Sequence, residues 1–256
     1  MTGEKIINLL VLAVVHQGTA IPLLWIPLDR KGNSDTDQRK DLMRRFIKLF
    51  GTHRIRSLTA DREFVGIKWL AWLLKKNIPI CIRIKKNTLI TISNNKPQSI
   101  WKLFVTVTSK TKKCFKNVEI WGSRVNIEGM RLKKGEYLIV LSNDTKNIIK
   151  TYKKRWNIET MFAKLKSRGF RFEDTHLTKP ARISKLLALL ALAFCYVLQI
   201  GAWRIEQGDN ILFKKTVQYP LKSIFRHGLE YLVSLILNLK EKLQEFMSLP
   251  HFLSCS

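Results

Sequence analysis

The first hydrophobic pattern in the chain is a pair of apolar runs. They cover residues 6–15 and 20–26, are rich in branched and aromatic side chains, and flank the pair Gln17 and Gly18. Branched apolar runs on both sides of a short glycine-containing turn are typical of a β-hairpin. We therefore predict a buried hairpin at the start of the chain.

Helical and extended periodicities then alternate. A helix is predicted from a cap at Ser34 or Asp35 to Phe50, where Gly51 ends it. A strand over 55–60 ends at Asp61, and a helix over 65–76 and a strand over 78–84 follow. Beyond residue 84, short alternating runs at 104–107, 117–121 and 137–141 predict a basic antiparallel β insertion. Helical patterns return over 145–168, 180–203 and 219–247.

One predicted helix carries a polar stripe. Tyr152, Arg155, Glu159 and Lys166 fall within an arc of roughly 60° at about 100° per residue. A carboxylate can hold a divalent metal, and the phenol, guanidinium and ammonium can bind phosphate oxygens. The alternative is a solvated helix with an ordinary ion pair between Arg155 and Glu159.

This spacing resembles the Tyr-Arg-Glu-Lys ("YREK") signature of bacterial insertion-sequence DDE transposases of the IS-four type. The resemblance extends to 166–178 after the signature, to 58–64 around Asp61, and to 225–232 near the C-terminus. It covers most of the chain.

The resemblance implies an α/β fold with a ribonuclease-H-like core. That core is expected over 1–84 and 145–205, with a β-strand insertion at 85–144 and a C-terminal helical tail at 206–256. The implied activity is metal-dependent cleavage and transfer of DNA strands at insertion-sequence ends. The implied partners are double-stranded DNA and a second copy of the chain, and the implied location is the bacterial cytoplasm, at the nucleoid.

The resemblance also implies roles for single residues. Asp61 and Glu159 would be catalytic and would hold Mg²⁺, or Mn²⁺ as a substitute. Tyr152, Arg155 and Lys166 would contact backbone phosphates. Trp156 is a candidate for stacking on a distorted or flipped base, with a tryptophan at the edge of the core as the alternative.

A first core strand that ends in a catalytic Asp is expected before the hairpin, and the sequence does not show it. Three other carboxylates are weak substitutes. Asp29 lies in a turn-like sequence beyond the second hairpin strand, Glu63 is only two residues from Asp61, and Glu4 has no strand to position it. We therefore expect an incomplete site, and unpaired backbone groups on the strands that should flank the missing one.

Charge agrees with a nucleic-acid partner. The chain has 46 Lys plus Arg against 19 Asp plus Glu, which gives a formal charge of +27. Such a charge favours binding to a polyanion. The 18 uncharged residues at 186–203 reach the lower length limit of a membrane helix, and a wholly buried helix that covers a sheet is the favoured interpretation. Three hypotheses follow: a shortened transposase catalytic domain, a non-catalytic DNA-binding remnant of one, and, more distantly, a membrane-associated basic protein.

Overall fold

The computed structural model describes residues 8–28, 32–91, 96–132, 135–166, 169–212 and 220–249. The chain forms two compact units. The first comprises Met1–Ala20 and Leu24–Thr160, and the second comprises Ile21–Leu23 and Met161–Ser256. The domain boundaries expected from the sequence stay a prediction.

The hairpin and the first helix form where the sequence predicts them, but the prediction that the hairpin is buried holds only in part, because Val14 and Val15 are exposed. Strands β1 (Asn8–His16) and β2 (Thr19–Leu28) pair with each other, and helix α1 (Thr36–Phe50) follows. Asp35 accepts a hydrogen bond from the Gln38 backbone N–H, and the Gln38 side chain accepts one from the Asp35 N–H. This reciprocal pair satisfies two backbone donors that a helix start leaves open, so it fixes where α1 begins.

The largest sheet has five strands and mixed directions. After β3 (Leu58–Ala60) and helix α2 (Ile67–Lys75) comes β4 (Ile80–Arg83), which pairs parallel to β3. The short strands β5 (Leu89–Ile90) and β6 (Gln98–Ser99) pair separately. The remaining strands are β7 (Lys113–Ile120), β8 (Ser123–Arg131) and β9 (Tyr137–Ser142).

The sheet order is β3-β4-β9-β8-β7, and every pair except β3 with β4 is antiparallel. The predicted α/β class is confirmed, because helices accompany a mixed sheet. The insertion strands are antiparallel, as predicted, and they extend the same sheet as β4. The main core lies on this sheet, where apolar residues of α2, β4, β8 and β9 are almost completely buried.

The strand predicted at 104–107 is wrong. Residues Ile100–Phe104 form a 3₁₀ turn, and the turn continues through the next two residues. The reason is packing against Gly129 of β8, whose missing side chain makes room for the fully buried Phe104 ring. A Cβ added at Gly129 would lie 2.4 Å from Phe104 Cε1. A tertiary contact thus overrides the local alternation of the sequence.

The helix predicted over 145–168 is interrupted. Helix α3 (Ile148–Tyr152) and helix α4 (Trp156–Lys166) are joined by a 3₁₀ turn at Lys153–Arg155. The start of α3 is capped by β8, because the Ile149 N–H donates to a carboxylate oxygen of Glu128 at 2.7 Å. The four side chains of the predicted stripe therefore do not share one regular helix.

In the described residues, the second unit contains three helices beyond the end of α4. They are α5 (Pro180–Glu206), α6 (Ile224–Leu237) and α7 (Leu243–Ser248), so the helix predicted over 219–247 is divided in two. The prediction of a wholly buried α5 is wrong. Leu189 and Leu192 are 64% and 70% exposed. Within the described residues α5 alone is long and apolar enough to cross a membrane, a test that core helices of soluble proteins also pass.

Candidate active site

Asp61 stands directly after β3, at the start of a tight turn. Its carboxylate oxygen Oδ1 accepts a hydrogen bond from the Arg62 backbone N–H at 2.8 Å, and its carbonyl accepts one from Phe64 N–H at 2.8 Å. The side chain is 30% exposed. The apolar strand ends where this turn begins, and the turn holds the carboxylate at the end of the strand.

A buried arginine of α1 holds this turn in place. The Arg39 guanidinium donates to the Ser34 hydroxyl and to the backbone carbonyls of Ser34, Glu63 and Val65. Burial lowers the pKa of Arg39, and the charges of Asp35 and Glu63 oppose that shift. Arg39 thus ties α1 to the segment that follows Asp61, a role that the sequence did not reveal.

We expect Arg39→Ala to destabilise the first unit by roughly 3 kcal/mol, because three carbonyls lose their charged donor and stay desolvated. Urea unfolding followed by circular dichroism measures this change. The matched control is Arg44→Ala on the same helix, whose exposed ion pair with Asp41 is worth at most about 1 kcal/mol. Equal losses in the two variants would contradict the role of Arg39.

Tyr152 and Arg155 bring the segment around Glu159 to Asp61. The Tyr152 hydroxyl donates to Asp61 Oδ1 at 3.3 Å. Arg155 Nη1 lies 3.9 Å from Asp61 Oδ2, and Arg155 Nη2 lies 2.6 Å from Glu159 Oε1. The guanidinium therefore lies between two carboxylates that are distant in sequence.

The electrostatics follow from burial and from these contacts. Burial raises the pKa of Tyr152, which keeps the phenol protonated as a donor. Burial alone would lower the pKa of Arg155, but the hydrogen bond to Glu159 and the nearby Tyr152 and Asp61 outweigh it and raise that pKa. Arg155 Nε is buried and has no hydrogen-bond partner within the part of the chain that the structure describes.

The described carboxylates do not by themselves fit a divalent metal. Mg²⁺ needs several oxygen ligands, and here Asp61 and Glu159 are both ion-paired with one guanidinium. In the described ranges, no group of three or more His, Cys, Asp or Glu side chains is placed to hold a metal ion. As it stands, the arrangement is an ion-paired triad.

The weak substitutes for the missing Asp do not join this triad in the described residues. Glu63 accepts a hydrogen bond from the Asn33 amide at 2.8 Å and lies 3.9 Å from Arg62. Asp29 and Glu4 lie outside the described residues.

The other predicted binding residues are at the surface. Trp156 is 66% exposed, which does not fit the alternative of a tryptophan at the edge of the core. Lys166 ends α4, is exposed, and belongs to the second unit. The DNA contacts assigned to both residues, and to Tyr152 and Arg155, stay predictions.

A cavity of about 630 Å³ opens beside Asp61, within the range of about 300–1,000 Å³ typical of ligand sites. Strands β1 and β3 and helix α1 line its apolar part. We call its basic lining residues the basic rim. The basic rim consists of Arg39, Arg54, Arg56, Lys146, Lys154 and Arg155. Two acidic residues, Asp61 and Asp144, also line the cavity.

Asp144 is a cavity residue that the sequence analysis missed. Its Oδ1 accepts hydrogen bonds from the backbone N–H groups of Thr145 and Lys146, so it caps the turn after β9. Asp144 stands two residues beyond the end of β9, and an Asp so close to the end of an apolar strand pattern was the available signal.

Comparison with known protein families identifies a match. The family model described as the transposase DDE domain matches residues 2–198, which is most of the chain. The chain belongs to the transposase DDE domain family. No curated protein matches the chain.

Membership in this DDE transposase family settles the general kind of function. The family acts in DNA transposition, its chemistry is of the polynucleotidyl transferase kind, and its members generally use divalent metal ions. Transposases act on DNA, and the +27 formal charge of this one is consistent with such a partner.

Proposed function

We propose that this DDE transposase domain belongs to the IS-four type and cleaves and transfers DNA strands at insertion-sequence ends. One observation carries the proposal. Asp61 and Glu159 both form ion pairs with the Arg155 guanidinium, although 98 positions separate them in the sequence. Separate chain segments must supply the carboxylates of such a site. Asp61 and Glu159 are the two that this chain contributes.

We further propose that the core is ribonuclease-H-like. A hairpin, a helix, a strand, a helix and a strand precede the segment with Glu159, and this order supports the proposal. The first strand of that core, with its Asp, is the part that we infer to be needed in addition. Mg²⁺, with Mn²⁺ as a substitute, is the proposed cofactor of the completed site.

Tyr152 is proposed to position Asp61. Its hydroxyl is the neutral donor to that carboxylate, and the residue is 6% exposed and packs in the core. The Arg155 guanidinium is proposed to exchange its carboxylate partners for a DNA phosphate, since its planar fork suits both anions. Lys166 and Trp156 would extend the contact along the DNA.

The alternative is a non-catalytic DNA-binding protein that still occupies insertion-sequence ends. The ion-paired state of Asp61 and Glu159 favours this alternative for the chain by itself. A plasmid that carries two insertion-sequence ends distinguishes the two functions when it is incubated with the protein and Mg²⁺ or Mn²⁺. Nicks at the ends would support catalysis, and protection of the ends without nicks would support binding alone.

The proposed partners are double-stranded DNA and a second copy of the chain at paired ends. No membrane is part of the proposal, and the proposed location is the bacterial cytoplasm, at the nucleoid. A second basic recess supports extended contact with a DNA backbone. It has a volume of about 290 Å³, and Arg62, Arg83, Lys85 and Lys86 line it.

Lys154 gives a direct test of the phosphate contacts, because it is exposed and lines the cavity beside Asp61. We expect Lys154→Ala to weaken DNA binding about equally for all sequences. The slope of log affinity against log salt should become shallower by about 0.9 for the lost contact. Fluorescence anisotropy at several salt concentrations measures both effects. Lys154→Arg keeps the charge and should leave the slope unchanged; a fall in its slope equal to that of Lys154→Ala would contradict the interpretation.

A further inference from the structure

A buried lysine lies near the end of α4. Lys164 is 8% exposed, and its ammonium nitrogen Nζ lies 5.0 Å from the centre of the Phe225 ring and 5.5 Å from that of Phe194. Burial lowers the pKa of Lys164, and in the described residues no carboxylate opposes that shift. An ammonium taken out of water without a counterion is costly. The two aromatic rings are therefore the groups that stabilise this charge, since both lie within the range of about 6 Å for a cation–π contact.

Phe194 of α5 and Phe225 of α6 form a packed pair, which we call the aromatic seat. Both residues are at most 1% exposed, and their rings stack with centres 4.6 Å apart. Phe170 meets the Phe225 ring edge-on, with ring centres 5.8 Å apart. The seat is thus fixed by its own packing, and Lys164 is the charged side chain that lies on it.

The backbone of Lys164 is held as well. Its carbonyl accepts a hydrogen bond from the Phe170 N–H at 3.1 Å. Phe170 belongs to the segment 166–178, and Phe225 is the first residue of the segment 225–232. Both segments carry the family resemblance outside the signature itself. They therefore meet at one residue, Lys164, two positions before the signature residue Lys166.

Lys166 depends on how the end of α4 is held. It is the last residue of the helix, and it is exposed. The last turn of a helix frays easily, because its carbonyls lack partners within the helix. Lys164 and Lys166 point in nearly opposite directions, since each helical residue advances by about 100°. A contact that holds Lys164 inward therefore also directs Lys166 outward.

We propose that Lys164 is a positioning residue for DNA binding, through which the aromatic seat keeps the last turn of α4 folded and directs Lys166 toward a DNA phosphate. The inference rests on the proposed function, in which Lys166 makes that contact. It adds a role for Phe225 and for the segment 225–232, to which no part in DNA binding had been assigned. Lys164 itself is buried and does not touch DNA.

The test measures binding of the full chain to a fluorescent DNA duplex by anisotropy at several salt concentrations. Lys166→Ala should weaken binding roughly tenfold and make the slope of log affinity against log salt shallower by about 0.9. Lys164→Ala should have the same two effects. The variant with both changes should also lose about 0.9 in slope, and not about 1.8, because the same contact is lost. Lys164→Arg keeps a cation over the rings and should bind like the parent.

The slope separates positioning from a loss of folded protein, which lowers the apparent affinity but leaves the slope unchanged. Circular dichroism measures the folded fraction of each variant. Phe225→Leu keeps an apolar side chain but removes the ring, so its slope should change like that of Lys164→Ala, and it decides the test if Lys164→Ala does not fold. Lys222→Ala removes one exposed charge from the same unit and should keep the parental slope.

Three results would overturn the positioning role and leave the contact of Lys166 in place. They are a parental slope for folded Lys164→Ala, a loss of about 1.8 in the variant with both changes, and an equal change in Lys222→Ala. A parental slope for Lys166→Ala is a different result, because it would remove the proposed phosphate contact and the positioning role together.

Discussion

Residues 1–256 by themselves should leave insertion-sequence ends uncut in Mg²⁺, and the same chain with an added strand should nick them. The strand would be added upstream in the same polypeptide and would end in Asp. We expect the rate of nicking to rise by on the order of 10⁴-fold, the scale at which loss of an essential active-site group changes rates. Gel electrophoresis of an end-labelled duplex measures it.

Two controls separate catalysis from folding. An added strand that ends in Asn should give the same solubility and thermal stability but no nicking. Asp61→Asn in the extended chain should also abolish nicking while DNA binding persists. If residues 1–256 cut DNA with Mg²⁺ and Asp61→Asn does not, another carboxylate completes the site and our inference of an incomplete one fails.

Open strand edges also bear on solubility. In the described residues β1 pairs with β2 alone and β3 with β4 alone, and an unpaired strand edge favours pairing between chains. The extended chain should therefore aggregate less than residues 1–256. Light scattering during storage at equal concentration would register the difference.

The sequence predicted correctly those elements whose boundaries are set by residues close to them in the chain. The hairpin needs only its apolar runs and a turn at which Gln17 and Gly18 both have positive φ. Helix α1 needs only the Asp35 and Gln38 box and its apolar side. Each of these signals lies within a few residues of the structure it produces, so one sequence is enough to find it.

The interrupted signature helix could not be predicted in this way. Tyr152-Lys-Lys-Arg155 contains no residue that breaks a helix. The 3₁₀ turn at Lys153–Arg155 directly follows two long-range anchors, the cap that Glu128 gives to α3 and the hydrogen bond from Tyr152 to Asp61. Their partners are 91 and 21 residues away, outside any helical window.

In the site, too, contacts between residues close in sequence were predicted and contacts between distant segments were not. Periodicity placed Arg155 and Glu159 on one side of a helix, and their ion pair is the contact that i,i+4 spacing gives. Asp61 was selected through the family resemblance and its position at a strand end. Arg39 was missed, because its three carbonyl partners come from the loops before α1 and after β3. No sequence pattern links an exposed-looking helix arginine to those loops.

The run of uncharged residues in α5 shows a different limit. Composition established that 186–203 is apolar, but not which positions pack. Phe194 and Val197 are buried, while Leu192 is 70% exposed. Burial in α5 depends on the partner helix α6, and the contact with α6 depends on two glycines.

Gly228→Ala should destabilise the second unit by at least about 3 kcal/mol, the upper end of the usual cost of overpacking. An added Cβ would lie 2.1 Å from the Val197 carbonyl oxygen and 2.7 Å from the Gly201 backbone N. At Gly201 it would lie 2.2 Å from the Ile224 carbonyl oxygen. These are backbone atoms, so no side chain can turn aside, and α5 and α6 must separate.

Urea unfolding monitored by tryptophan fluorescence measures this loss, because Trp203 of α5 packs near Tyr231 of α6. Val233→Ala is the control on the same helix; its side chain is 44% exposed, and we expect a change within about 0.5 kcal/mol. Gly201→Ala with Gly228→Ala should cost less than the sum of the single losses, because one separation of the helices relieves both clashes. Strict additivity would mean that the two glycines do not share one crossing point.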